Sequence, residues 1–198
     1  MNDLEKKHGF TYIDSLEFSD ESLLLKVKKR CEKKLQKKAH ASYNNWSRSL
    51  FEWDLKQKKA IAFAIEKVHP LVGYGVIASQ TISAFSYVGE YCGEVRKRRW
   101  RDSRNDYVFG YVIGPHDTPW VIDASKKGNF TRFFNHSYTP NLISRWIITG
   151  GVAHIGFFST CLIERGEEMT FDYGPYYWRN RPAPQERSLA TKGSFRYA

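Results

Sequence analysis

Three short segments of the sequence combine glycine, amide, imidazole and phenol groups in patterns that could hold a ligand. Gly73-Tyr74-Gly75 leaves backbone atoms unshielded, so a ligand can approach the chain closely. Asn135 and His136 are adjacent in RFFNHS and supply both donors and acceptors. Tyr173 adds a phenol in FDYG. Each segment alone also has a structural explanation: a tight turn, a buried polar pair and a core tyrosine with a satisfied hydroxyl.

Length, charge and cysteine content limit the classes of protein. The 198 residues suit one domain with an appendage, and a hydrophobic fraction of 41% excludes wholesale disorder. The net charge of +10 favours acidic partners such as nucleic acid. We predict no membrane span and, because MNDLEKKHGF lacks a Sec-type signal, an intracellular protein, although export by a non-Sec route would leave no such mark. The dispersed Cys31, Cys92 and Cys161 fit a reducing compartment.

Hydrophobic periodicity divides the chain into a helical part and a strand-rich part. From Asp20 to about Lys38, apolar residues recur in steps of three and four, which predicts a helix capped by Ser19 or Asp20 with a solvated basic face. A second helix is predicted over Ser47–Gln57. After about Ala60, short apolar runs and glycine-rich turns predict a mostly β (α+β) domain of small sheets. The expected organisation is an N-terminal helical region (1–60), a β domain (61–178) and a C-terminal tail (179–198). The chain from Pro175 onward is expected to be irregular or briefly helical.

Four segments, in order, resemble the motifs of the SET-domain protein lysine methyltransferases. They are GYG with the following FSYVGEYCGEV, a Y-x-F-like element within 106–109, the segment 122–141, and GEEMTFDYG at 166–174. The last two are near-literal and correctly spaced, so the resemblance is specific and covers roughly residues 61–178. It implies a β-clip architecture of small curved sheets with a threaded C-terminal segment that brings NHS and FDYG together.

The resemblance further implies S-adenosyl-L-methionine as the cofactor. Asn135 and His136 would bind its ammonium and adenine, and Trp178 would pack near the adenine. Arg132 would either hold an acidic residue of the fold or lie near the cofactor carboxylate. The cofactor-binding residues implied in this way are Gly73, Tyr74, Gly75, Tyr107, Arg132, Asn135, His136 and Trp178.

By the same resemblance, Tyr107, Phe171 and Tyr173 line a channel for the substrate lysine, and Tyr173 and Tyr107 are the catalytic residues. Neutralising a lysine of pKa near ~10.4 at pH 7.4 costs about 4 kcal/mol. An apolar channel and a neighbouring sulfonium lower that cost, so a strong general base is not obligatory. The Tyr173 hydroxyl would instead orient the amine for in-line attack. Phe171 favours di- or trimethylation, because a Tyr there would crowd the channel.

Two features separate this chain from zinc-braced relatives. Tyr138 replaces the cysteine of the NHSC motif that many relatives carry, and no cysteine follows Tyr173. We therefore expect no metal site, as in the minimal SET proteins of bacteria and viruses.

The partners follow from the family and from the charge. The expected substrate is a lysine of a histone or histone-like protein. Alternatives are a catalytically weak chromatin- or nucleoid-binding module and a methyltransferase of non-histone proteins. The basic run Arg96–Arg104 is a candidate contact to nucleic acid or nucleosomes, with a solvated surface as the alternative. The sequence does not indicate the oligomeric state.

Overall fold

The fold is described from a computed structural model, over residues 2–70, 72–111, 113, 119–179 and 181–182. Most of the predicted tail at 179–198 lies outside the described residues. Strands predominate in the described part, and the predicted mostly β class is confirmed.

Helices account for most of the first 56 residues. They are α1 (Asn2–His8), α2 (Glu21–Leu35) and α3 (Lys38–Lys56). The Asp20 side chain accepts a hydrogen bond of 2.7 Å from the Leu23 amide, so Asp20 caps α2 as predicted. The predicted start of the next helix at Ser47 is wrong. Buried Asn44 exchanges two hydrogen bonds with the Ile148 main chain, so tertiary contacts hold the polar first half of α3, which has no clear apolar stripe.

The strands are short, and most of them lie after Ala60, in the part of the chain predicted to be rich in strands. Their bounds are β1 (Thr11–Tyr12), β2 (Glu17–Phe18), β3 (Phe63–His69), β4 (Gly73–Ala78), β5 (Tyr87–Glu90), β6 (Glu94–Lys97), β7 (Val108–Gly110), β8 (Trp120–Asp123), β9 (Lys127–Gly128), β10 (Asn135–His136), β11 (Leu142–Thr149), β12 (Val152–Ser159) and β13 (Glu168–Phe171). A short helix, α4 (Pro175–Trp178), follows β13, and 3-10 turns lie at Trp100–Arg104 and Phe130–Phe133.

In the described residues, the strands form three small sheets. The largest has the order β3-β4-β13-β11-β12-β5, with β10 paired to β13; the second has the order β2-β6-β8-β7; the third is β1-β9. The segment FSYVGEYCGEV therefore divides between two sheets. A Cβ on Gly93, at the turn between them, would lie 2.7 Å from the Asp123 carbonyl oxygen, so this close passage requires glycine.

The N-terminal region packs into the β domain at several points. Val27 and Cys31 of α2 are fully buried in the main core, and β1 and β2 each pair with a strand of the later chain. None of the helices in the described ranges is both long and apolar enough to cross a bilayer.

The last strand occupies a central place. β13 lies between β4 and β11 and also pairs in parallel with β10, with Asn135 opposite Thr170 and His136 opposite Phe171. This register brings the NHS and FDYG segments side by side, as the resemblance implied.

Candidate active site

The GYG turn is joined to NHS through Asn135. Its Nδ2 donates to the Tyr74 carbonyl oxygen at 3.0 Å and to Glu168 Oε1 at 2.8 Å. A Cβ on Gly75 would lie 2.5 Å from Glu168 Oε1 and 2.9 Å from Asn135 Nδ2, so only glycine leaves room for this contact. Gly73, with φ of +86°, supplies the turn into β4. Because the amide nitrogen is used inside the fold, Oδ1 is the atom of Asn135 suited to accept from a ligand.

Several aromatic rings pack around His136. Its Nδ1 accepts a 3.2 Å hydrogen bond from the Tyr173 amide, which ties NHS to FDYG. The Trp178 ring meets the His136 ring edge-on at 4.9 Å and lies parallel to the Tyr173 ring at 6.0 Å. Helix α4 therefore positions Trp178 beside both residues, and this C-terminal end of the predicted β domain forms one wall of the site.

The Tyr173 hydroxyl has a defined direction. It donates to the Phe134 carbonyl oxygen at 2.7 Å, one residue before NHS. The Tyr173 ring contacts buried Phe171 at 4.8 Å, and Phe171 contacts Phe157 at 4.8 Å and stacks on Phe109 at 5.8 Å. The hydroxyl thus stands at one end of an apolar aromatic cluster, an environment that disfavours an ammonium group.

Arg132 packs against a second set of aromatic rings. Its guanidinium carbon is 3.8 Å from the centre of the Tyr107 ring and 4.4 Å from that of Phe10. Only 7% of Arg132 is exposed, and its Nε and Nη1 are buried without a hydrogen-bond partner among the described residues. Burial lowers the pKa of this guanidinium. In the part of the chain that the structure describes, no carboxylate forms an ion pair with Arg132, so the alternative that it holds an acidic residue is not supported.

Three further residues of this region were not predicted from the sequence. Tyr91 is buried, and its hydroxyl donates to the Tyr107 carbonyl oxygen at 2.8 Å while its ring lies 5.1 Å from Phe109. Its position in FSYVGEYCGEV, one of the family-like segments, was the signal that could have identified it. His8 and Phe10, from the start of the chain, contact Tyr74 and Arg132 respectively, and no sequence pattern indicated either contact.

The basic run is partly internal. Arg96 is 4% exposed and forms salt bridges of 2.6 Å to Asp102 and 2.7 Å to Asp123. Its hydrogen bond to Asp102 is the main cause that raises the pKa of Arg96. The prediction of a phosphate contact is therefore wrong for Arg96, because its charge is satisfied by the fold. The remaining basic residues of the run are exposed: Lys97, Arg98, Arg99, Arg101 and Arg104.

Metal-binding chemistry finds no support in the described ranges. There, no three His, Cys, Asp or Glu side chains cluster so as to hold a metal ion. Tyr138, at the position of the missing cysteine, is exposed and packs edge-on against His136 at 4.7 Å.

The motifs identified in the sequence thus converge, and their order matches a known domain. A family model described as the SET domain matches residues 73–174, which is more than half of the chain. The chain belongs to the SET-domain family. The match begins at the GYG turn and ends at the glycine of FDYG, so it spans most of the residues described above.

Curated relatives resemble this SET domain at 34–38% identity. An H3 lysine-4-specific histone-lysine N-methyltransferase of Aspergillus oryzae is 37% identical over 123 residues, covering 60% of this chain and 10% of that protein. Histone-lysine N-methyltransferase SETD2 of Homo sapiens is 38% identical over 108 residues, covering 51% of this chain and 4% of that protein. The chain therefore spans a small fraction of these relatives' length.

Solved structures share the SET fold. A humanized mutant of Chaetomium thermophilum Polycomb Repressive Complex 2, bound to the inhibitor GSK126, superposes with a TM-score of 0.55 at 27% identity, covering 63% of this chain and 17% of that one. A structure described as ctPRC2 in an autoinhibited conformation, bound to S-adenosylmethionine, superposes with a TM-score of 0.53 at 26% identity, covering 61% of this chain and 16% of that one.

Proposed function

We propose that this chain is an S-adenosyl-L-methionine-dependent protein-lysine methyltransferase acting on histones or histone-like basic proteins. The observation that carries the proposal is the parallel pairing of β10 with β13, which brings NHS and FDYG together beneath the GYG turn. The names of the relatives support the reaction class, and the neighbour bound to S-adenosylmethionine supports the cofactor.

The residues present fit that cofactor. Buried Arg132, whose Nε and Nη1 have no hydrogen-bond partner among the described residues, suits its carboxylate, and Asn135 Oδ1 suits its ammonium. The aromatic faces of His136 and Trp178 suit its adenine. The backbone of Gly73, Tyr74 and Gly75 would complete the cradle, and Tyr107 would lie between the cofactor and the lysine. When bound, the cofactor supplies an electrophilic methyl group on a sulfonium.

The chain's own contribution to catalysis is to exclude water and to align the substrate amine. Phe109, Phe157 and Phe171 form an apolar wall that disfavours an ammonium, so the substrate amine enters in its neutral form. Tyr173, held by the Phe134 carbonyl, orients the amine lone pair, and Tyr107 is the second proposed catalytic residue. Phe171 offers no hydroxyl to hold a water, which favours di- or trimethylation.

The catalytic domain of this proposal covers residues 61–178, between the N-terminal region 1–60 and the tail 179–198. An intracellular location fits a histone substrate. Exposed Arg98, Arg99, Arg101 and Arg104, beside Trp100 at 74% exposure, are the proposed nucleic-acid contact.

The decisive experiment incubates the chain with labelled S-adenosylmethionine and core histones, bacterial histone-like proteins, a whole-cell protein extract or the chain alone. Mass spectrometry then identifies the modified lysines. We expect di- or trimethyl-lysine on a histone-class protein. Labelling confined to other proteins of the extract would indicate the non-histone alternative. Absence of cofactor binding by calorimetry would indicate a binding module without catalysis.

The matched variant for this experiment is Tyr173→Phe. It removes the hydroxyl and keeps the ring that packs on Phe171 and Trp178. We expect turnover to fall about 100-fold, the scale of lost positioning, while the cofactor Kd stays within about twofold. Wild-type turnover by this variant on a verified substrate would contradict the role assigned to Tyr173.

A further inference from the structure

The start of the chain lies against the cofactor side of the SET domain. β1 pairs in parallel with β9, with the Thr11 amide donating to the Lys126 carbonyl and the Ile13 amide to that of Gly128, both at 2.8 Å. The Tyr12 amide donates to Glu5 Oε1 at 2.7 Å, which ties α1 to β1. The segment 2–12 is thus attached to β9, the strand that precedes the 3-10 turn Phe130–Phe133. That turn contains Arg132 and leads into NHS.

This N-terminal segment touches both walls of the proposed cofactor cradle. The His8 ring meets the Tyr74 ring edge-on at 4.4 Å and the Phe133 ring at 4.9 Å. Phe10 is buried beneath the Arg132 guanidinium, 4.4 Å from its carbon. His8 therefore joins the GYG turn to the segment that precedes NHS.

Polar atoms of His8 and Arg132 lack partners in the described ranges. His8 Nε2 and Arg132 Nε and Nη1 are all buried without a hydrogen bond there. Buried donors of this kind are costly to leave unpaired, above all on a charged group. Burial and the positive charges of Lys7 and Arg132 lower the pKa of His8, which marks this corner as electropositive. Such a corner suits an anionic ligand group.

We propose that His8 completes the cofactor site by donating from Nε2 to the carboxylate that Arg132 also binds. This inference rests on the proposed function, and it makes the N-terminal segment part of the active site rather than a separate module. The carboxylate would accept hydrogen bonds from His8 Nε2 and from the Arg132 guanidinium. A neutral His8 imidazole with its proton on Nε2 is therefore sufficient for this contact.

The test measures binding, by calorimetry, of S-adenosylhomocysteine and of its decarboxylated analogue, which lacks the carboxylate. His8→Ala should weaken S-adenosylhomocysteine binding about tenfold and leave binding of the decarboxylated analogue within about twofold. His8→Gln, whose amide nitrogen can replace Nε2, should recover most of the loss. Lys6→Ala, on the exposed side of α1, is the matched control and should bind both ligands as the wild type does.

Three results would overturn the inference. Unchanged affinity of His8→Ala for S-adenosylhomocysteine would mean that His8 does not bind the cofactor. An equal loss for both ligands, with or without a lowered melting temperature, would mean that His8 acts through the fold. Failure of the wild-type chain to bind either ligand would overturn the proposed function, and the inference with it, so the two failures are distinguishable.

Discussion

Two buried arginines of this molecule have opposite surroundings. Arg96, 4% exposed, donates four hydrogen bonds of 2.6–3.0 Å to the carboxylates of Asp102 and Asp123. Arg132, 7% exposed, lies against the rings of Phe10, Tyr107 and Phe133 and forms no ion pair with a described carboxylate. The pKa of Arg96 is raised and that of Arg132 is lowered. A cation paired inside the fold serves structure, whereas a buried cation without such a partner is suited to a ligand.

The first prediction tests the structural side of this comparison. Arg96→Met leaves two carboxylates facing each other without a cation, and removal of one partner from a buried ion pair costs about 3–5 kcal/mol. We expect the free energy of unfolding, measured by urea titration, to fall by that amount. Arg104→Met, at an exposed arginine in the same region, is the control and should change it by less than about 0.5 kcal/mol. Equal stabilities of the two variants would show that the buried ion pairs of Arg96 do not stabilise the fold.

The second prediction tests the functional side. Arg132→Met removes a desolvated cation that has no carboxylate partner among the described residues, so the fold should lose little stability. Binding of S-adenosylmethionine should weaken by about 1.5–3 kcal/mol, the usual contribution of a hydrogen bond to a charged group. Arg132→Lys keeps the charge without the planar fork, and its Kd should lie between those of Arg132→Met and the wild type. If Arg132→Met unfolded as readily as Arg96→Met and bound cofactor normally, the assignment of roles would be reversed.

The same pair of arginines shows which features of the fold and the site could be predicted from the sequence. Local sequence signals were enough to predict the Asp20 cap and the strand-rich part of the chain. The family motifs were enough to predict that Asn135 and His136 lie beside Tyr173. Arg96 was misjudged because a basic run is usually solvated, and one of its two partners, Asp123, is distant in sequence. Composition around position 96 carries no trace of that pairing.

Long-range contacts account for the other errors. The first half of α3 depends on the buried pairing of Asn44 with Ile148, and the contacts of His8 and Phe10 cross more than sixty residues of chain. Each involves polar or isolated residues, so hydrophobic periodicity cannot reveal them. The family resemblance covered roughly 61–178 and thus gave no information about the N-terminal part of the site.

A third kind of arginine gives the smallest expected effect. Arg98 and Arg99 are exposed. The hydrogen bonds that the Arg98 amide donates to the Pro119 carbonyl and the Arg99 amide donates to the Asp102 carboxylate survive substitution by alanine. The double variant should therefore fold normally and methylate a short free peptide at the wild-type rate. On nucleosomes, each lost phosphate contact should flatten the slope of log affinity against log salt by about 0.9, giving at most about 1.8 for the pair. Equal slopes for the double variant and the wild type would show that this run is only a solvated surface. A large loss on the free peptide would show that it shapes the peptide groove, and the division of the molecule's arginines into paired, ligand-binding and polyanion-binding groups would then fail at its third member.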